Sequence, residues 1–270
     1  MRFLTIPLLA AVFLVAAGLA ADPNYSRDVD QYRAHREAQL KQDDGWLTVV
    51  GLFRLQEGDN QIALPAPAHA VKIAFSKGQA TYFAEGKPGV ALKPNVDIIS
   101  LGPIKFFVIK RGDDYFIRVK DNNSQLRRDF TGLKWFPVDP SWKITARFTP
   151  YDTPKTILFD SQNGVKQPMQ SPGYVSFTRN GKQYRLEPVT EGSELFFIFR
   201  DATSNKTTYG AARFLYAQPA KDGAVILDFN KAINPPCAFT AFATCPLPPP
   251  QNRLTLSVTA GEKKYSDAIE

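Results

Sequence analysis

The richest place for chemistry in this sequence is the run Phe196–Ala217, FFIFRDATSNKTTYGAARFLYA, together with the acid and amide groups that follow it. An aromatic strand ends in Arg200-Asp201. A polar loop of Thr203, Ser204, Asn205, Thr207 and Thr208 follows, and Tyr209-Gly210 leads into a strand carrying Arg213. Asp228, Asn230 and Asn234 come next. A strand apolar at nearly every position is buried on both faces, so charges at its end either face a cavity or satisfy one another. A guanidinium beside a carboxylate can hold an anion or set up an acid/base pair. The first reading is a binding module whose polar pocket, made of Arg200, Asp201, Tyr209, Arg213, Asp228 and Asn230, takes a small molecule or anion. The second is a hydrolase with Asp201 or Asp228 as acid or base. The third is a structural or envelope-interaction protein in which the same Arg–Asp groups only fix strand ends. Convergence of Arg200, Asp201, Arg213 and Asp228 on one concave site separates the first two from the third.

The second unusual stretch is Asp228–Leu254, DFNKAINPPCAFTAFATCPLPPPQNRL, with both cysteines and six of the 21 prolines. Proline fixes φ and removes a donor, so the segment is neither helix nor central strand; polyproline II and turns remain. A Cys237–Cys245 disulfide would supply the missing constraint, about 2–3 kcal/mol for so small a ring. Free thiols and a metal site are the alternatives, the latter against the usual need for about four ligands. The loop either shapes a pocket rim or plugs one end of a barrel, with Ala238, Phe239, Ala241, Phe242 and Ala243 as buried filler.

Other chemistries have no footing. There is no G-x-S-x-G elbow, phosphate loop or H-E-x-x-H, and no cofactor motif. The 2 histidines, His35 and His69, stand far apart, which excludes a His-rich metal centre. Asp201, Asp228 and Glu187 would fit a glycosidase pair no better than acids in any protein. Tyr151-Asp152 and Trp135-Phe136 suit either a sugar-stacking surface or buried corners.

Residues Met1–Ala20 read as a secretory signal: Arg2, an apolar run over Leu4–Leu19, and Gly18-Leu19-Ala20 at the cleavage point. The run is short for a membrane span and contains Pro7, so cleavage without a stable anchor is expected, with the mature chain periplasmic or secreted. An oxidising compartment suits a disulfide. The net charge of +7 comes from Lys and Arg spread along the chain, which reads as solubility and not as nucleic-acid binding.

These groups must be positioned by β-structure. One helix is expected, Ser26–Asp43, capped by Ser26, with Val29, Tyr32, Arg36 and Leu40 near one stripe. Short strands then follow: Trp46–Leu55 with a bulge at Gly51, a turn at Glu57–Asn60, and runs at Gln61–Leu64, Ala70–Phe75 and Ala80–Ala84. Val96–Leu101, Ile104–Ile109 and Tyr115–Lys120 come next, the last two joined by Arg111-Gly112-Asp113-Asp114. Arg127–Trp142 breaks the rhythm as a junction. Later runs are Lys143–Thr149, Lys155–Phe159, Val165–Met169, Tyr174–Arg179, Lys182–Pro188, Leu195–Arg200, Gly210–Tyr216, Ala224–Phe229 and Leu254–Ala260. Asn180-Gly181 is a type I′ hairpin signal. The expectation is an all-β protein of two packed β units: a signal at 1–20, a helical segment at 21–45, a sandwich at 46–125, and a barrel or sandwich with the Pro/Cys loop at 126–270.

Several stretches together resemble an uncharacterised bacterial family, domain-of-unknown-function family 1684. They are GWLTVVGLFRLQEGDN, RRDFTGLKWFPVDPSW, SPGYVSFTRNGKQYRLEPV, the Phe196–Ala217 run and the Asp228–Leu254 segment. The resemblance implies no activity. Trp46–Lys120 is also similar in strand rhythm to forkhead-associated and SMAD-type sandwiches. The phosphate-holding Arg and Ser of such modules are missing, since Gly58 is followed by Asp59-Asn60-Gln61 and Pro65–His69 has neither. The shape is implied and phosphopeptide binding is not.

Overall fold

The computed structural model describes residues 23–161 and 164–265, so the expected signal at Met1–Ala20 lies outside the described residues. Helix α1 spans Pro23–Lys41. It starts three residues before Ser26, which is therefore inside the helix and not its cap; proline at a helix start suits the first turn, where its missing N–H has no partner to lose. Gly45 reverses the chain after the helix, where a Cβ would stand 2.6 Å from the Leu40 carbonyl oxygen. The expected stripe is real. Val29 and Leu40 are buried, Tyr32 Oη donates to the Lys231 carbonyl at 2.9 Å, and Arg36 occupies a buried position between them.

The first β unit has two four-stranded antiparallel sheets. One contains β1 (Val49–Arg54), β6 (Ile98–Leu101), β7 (Ile104–Arg111) and β8 (Asp114–Asp121), in the order β1-β8-β7-β6. The other contains β2 (Gly58–Ile62), β3 (Val71–Ser76), β4 (Gln79–Phe83) and β5 (Val90–Leu92). Ile73, Phe75, Phe106, Val108, Ile117 and Val119 fill the space between them. The register shifts at Val49/Gly51, as the bulge reading required. The Glu57–Asn60 turn is a correction: Gly58–Asn60 begins β2, and the Asn60 side chain closes the preceding bend on the Gln56 backbone, accepting and donating at 2.8 Å.

A short helix, α2 (Gln125–Arg128), and an irregular stretch lead to the second unit. There β9 (Lys143–Asp160), β10 (Lys166–Arg179), β11 (Lys182–Leu186) and β15 (Ala224–Asp228) form a curved sheet in the order β11-β10-β9-β15. It closes as a half-barrel over the three-stranded sheet of β12 (Val189–Glu191), β13 (Glu194–Phe199) and β14 (Arg213–Ala217). The expected strands at Lys143–Thr149 and Lys155–Phe159 are one strand. Pro150 and Pro154 are tolerated because β15 pairs only with Lys143–Arg147, leaving the rest of that β9 edge without a ladder. Asn180 and Gly181 both have positive φ, 52° and 73°, and make the expected tight hairpin between β10 and β11.

Strand β13 is buried on both faces, as its composition demanded. Phe197 and Phe199 join Val175, Phe177, Leu227 and Phe229 on one side. Phe196 and Ile198 join Phe214, Ile233, Ala243 and Cys245 on the other. Leu254–Ala260 is a further correction, because it is extended without being a strand. Its Leu254, Leu256, Val258 and Ala260 side chains pack inward; the Leu254 N–H donates to the Arg200 carbonyl at 2.8 Å and the Leu256 carbonyl accepts from the Ala202 N–H at 3.0 Å, while the Val258 and Ala260 carbonyls accept from the Arg213 guanidinium.

Candidate functional site

The six residues expected to share a pocket fall into separate groups. Arg213 is fully buried, 0% exposed, and Nη1 donates to Asp201 Oδ2 at 2.9 Å. Asp201 Oδ1 accepts from the Thr203 N–H at 2.7 Å and from Thr203 Oγ1 at 2.5 Å. With the two carbonyls on Arg213, this pair is a brace that ties the β13 end and β14 to the C-terminal segment. Arg200 contributes its backbone to the same seam, its N–H donating to the Asn252 carbonyl at 3.2 Å. Tyr209 turns away, its hydroxyl donating to the Cys237 carbonyl at 3.1 Å. Asp228 and Asn230 form another knot. Tyr25 Oη donates to Asp228 Oδ1 at 2.7 Å, and Asn230 Nδ2 donates to Tyr25 Oη at 2.9 Å and to the Asp139 carbonyl at 2.8 Å. That knot fastens the start of α1 to β15; Asp228 also lines a cavity with Lys143, Glu194 and Lys231. Arg200, Asp201, Arg213 and Asp228 therefore do not converge.

The Pro/Cys loop lies between the units. Polyproline backbone at Pro235 and Pro249, φ −66° at each, leads into single turns of 3₁₀ helix. The expected cystine is absent, and Cys237 and Cys245 are buried free thiols side by side, with the Cys237 N–H 3.2 Å from Cys245 Sγ. The hydrogen bond between the two thiols lowers the pKa of Cys237 and raises that of Cys245. Other bonds supply the constraint assigned to the disulfide. Thr240 Oγ1 donates to the Val49 carbonyl at 3.0 Å, Arg111 Nε to Thr244 Oγ1 at 3.2 Å, and Gln167 Nε2 to the Thr244 carbonyl at 2.9 Å. Of the expected filler, Ala238, Phe239 and Ala243 are buried, whereas Ala241 and Phe242 are exposed.

Two chambers open where α1, the first sandwich and this loop meet, and they share Arg36 and Trp46. The smaller, about 340 Å³, is polar and lined by Gln39, Gln42, Asp44, Arg118 and Lys120. The larger, about 460 Å³, is lined by the polar Arg111, Gln167 and Thr244 and by the apolar Met169, Phe196 and Phe214. Arg118 stands on β8 between Leu52 and Phe107 of the neighbouring strands and lies 5.0 Å over the Trp46 ring. It is only 5% exposed, and its Nε and Nη2 have no hydrogen-bond partner among the described residues. No carboxylate pairs with it among the described residues. Burial, with the Arg111 charge pushing the same way, holds its pKa down at about 10. Burial likewise lowers Arg111.

Beneath the chambers, Arg36 is 9% exposed and donates through NH2 to the Asn234 carbonyl at 3.1 Å. Its Nε lies 3.6 Å from Glu262 Oε2, an ion pair too long for a hydrogen bond. Glu262 is completely buried, and Asn234 Nδ2 donates to its Oε1 at 2.7 Å. Desolvation raises the Glu262 pKa to about 7, against the opposing pull of Arg36. Arg36 Nε, Asn234 Oδ1 and Glu262 Oε2 are all buried without hydrogen-bond partners.

A family model described as "Protein of unknown function (DUF1684)" matches residues 128–263. The chain belongs to that family. Among solved structures, the DUF1684 chain is similar to the solution NMR structure of an uncharacterized protein of Haloarcula marismortui, with 32% sequence identity and a TM-score of 0.44. That match covers 53% of this chain and 81% of the other. No curated protein matches it. The DUF1684 match takes in Cys237, Cys245 and Glu262 and leaves out Arg36, Trp46, Arg111 and Arg118. The sequence nevertheless carried a signal for two of these cations. Arg36 falls on the apolar stripe of α1, and Arg118 interrupts the apolar run Phe116–Val119 where both neighbours are core residues.

Proposed function

We propose that the protein is a binding module for a small anionic ligand held at the seam of Arg36, Arg111 and Arg118 between the two β units. The observation that carries this reading is the buried Arg118 guanidinium, which among the described residues has no counter-ion and has two N–H-bearing atoms without partners. A charge left unpaired in a low-dielectric site is costly, and an anion entering the cleft removes that cost. A hydrolase built on Asp201 or Asp228 has weaker support. Asp201 is enclosed by its own donors, and Asp228 is engaged by Tyr25 and the Asn230 N–H.

Arg118→Met tests the reading. Inorganic phosphate, sulfate and short carboxylates should raise the melting temperature of the wild type by mass action. Arg118→Met should lose that shift while the ligand-free protein gains about 1–3 kcal/mol, since an unsatisfied buried group has been removed. If the guanidinium only braces the fold, the variant is instead less stable than wild type and the anion response is unchanged. Export belongs to the same proposal and is supported by Arg2 and the apolar run Leu4–Leu19. Cell fractionation with and without residues 1–20 tests it, and retention of both forms in the cytoplasm removes it.

A further inference from the structure

The larger chamber narrows the class of anion. This step rests on the anion reading above. We infer that the ligand is a single-headed amphiphile, a carboxylate or phosphate ester whose head sits on the guanidinium seam and whose acyl or aryl body lies along the Phe196 wall.

That wall is preformed. Phe196 stacks on Tyr216 with ring centroids 4.7 Å apart and planes 12° from parallel, and it meets Phe214 edge-to-face at 4.8 Å. Met169 and Ile233 extend the apolar surface, and a thioether adapts to ligands of differing shape. The polar lining is fixed, because Arg111 and Gln167 both already donate to Thr244. A cavity of about 460 Å³ with one apolar wall and convergent polar groups has the form of a small-molecule site. An inorganic anion would use only the cations and leave the wall wet. The acidic group lining this chamber is Glu191, exposed and accepting from the Tyr216 hydroxyl at 3.3 Å. Its charge disfavours a second anionic end, so a dicarboxylate fits less well than a ligand with one head. The wall lies within the family-matched residues, and Arg111 and Arg118 lie outside them. The body of the ligand is therefore read by the family's own β unit and its head by the preceding sandwich.

Titration calorimetry of the described chain against butyrate, octanoate, octyl phosphate, octanol and inorganic phosphate tests this. Octanoate should bind at least about tenfold more tightly than butyrate, since a fully buried methylene is worth roughly three- to fourfold. Octanol should bind more weakly than either octyl anion. Comparing octanoate with octyl phosphate assigns the head. Met169→Gln, which makes the wall polar without adding a charge, should flatten the chain-length gain and leave binding of inorganic phosphate unchanged. Equal affinity for butyrate and octanoate, with both lost in Arg118→Met, overturns the amphiphile and leaves the anion site standing. Binding of none of the anions overturns both.

Discussion

Arg213→Met is expected to cost about 3–5 kcal/mol of folding stability, because it removes one partner of a buried ion pair and leaves the other behind. Four groups lose their partner together. Asp201 keeps a charge in a site with no solvent, 0% exposed on both side chains of the pair. The Val258 and Ala260 carbonyls lose their donor, and the C-terminal segment keeps only its backbone bonds to Arg200 and Ala202 on this side. Phe199 also loses the guanidinium 5.4 Å from its ring. Against a typical stability of about 5–15 kcal/mol, such a loss leaves the fold near its threshold. Asp201→Asn should cost less, since the Thr203 and Arg213 donors keep a neutral acceptor and Arg213 retains both carbonyls. Urea denaturation of the two variants measures the difference. An Arg213→Met protein within 1 kcal/mol of wild type would show that the brace is not what holds the C-terminal segment, on the roughly 1 kcal/mol resolution of such comparisons.

The Arg213–Asp201 cluster illustrates what could be read from the sequence and what could not. The apolar run of β13 announced a strand buried on both faces; of the charged groups expected around a partly exposed site at its end, Asp201 and Arg213 are buried and Arg200 is half-buried. Whether those charges meet a ligand or one another depends on Val258 and Ala260, which arrive from 45 and 47 residues away. No local pattern encodes that. Local patterns did settle the hairpin at Asn180-Gly181, the bulge at Gly51 and the stripe of α1, because each is decided by a few neighbouring φ values or by a period of side chains. They failed at Leu254–Ala260, which was read as a strand but pairs by backbone only with Arg200 and Ala202 and then turns to the Arg213 side chain. The cleft was hidden for the same reason. Its walls come from α1, β8, β10, β13 and the Pro/Cys loop, and although Arg118 interrupts an apolar run, nothing local places Trp46, Leu52 and Phe107 around it. Of the two readings offered for the loop, a pocket rim or a plug, the lining of the larger chamber by Thr244, Cys245 and Pro246 is compatible with the first. The fastening was misjudged, because hydrogen bonds to Val49, Arg111 and Gln167 take the place of the disulfide.

Stability should also depend on pH through Glu262, with a sign opposite to that of an ordinary salt-bridged carboxylate. Desolvation raises its folded pKa from 4.5 to about 7. Between these values the folded protein binds a proton that the unfolded chain has released, so stability falls as pH rises. Its contribution is fully present below pH 4.5, declines through that window, and is lost above pH 7. The difference amounts to about 3 kcal/mol at 1.36 kcal/mol per pH unit. Glu262→Gln keeps an acceptor for Asn234 Nδ2 without a charge, so its stability relative to wild type should grow steadily from pH 4.5 to pH 7 and then level off. The charged groups acting on Glu262 are Arg36 from α1 and Arg213 from β14; Asn234 is its hydrogen-bonding neighbour. Arg36 links this titration to the cleft. A protonated Glu262 leaves the Arg36 charge to the chamber, and an ionised one neutralises it. Anion affinity should therefore rise as pH falls through 7 in the wild type and stay flat over the same range in Glu262→Gln. Calorimetric titrations with inorganic phosphate, corrected for its own ionisation, or with sulfate, which has none in this range, read the effect directly. An identical pH profile in both proteins would separate Glu262 from the site and leave Arg118 as the group that controls binding.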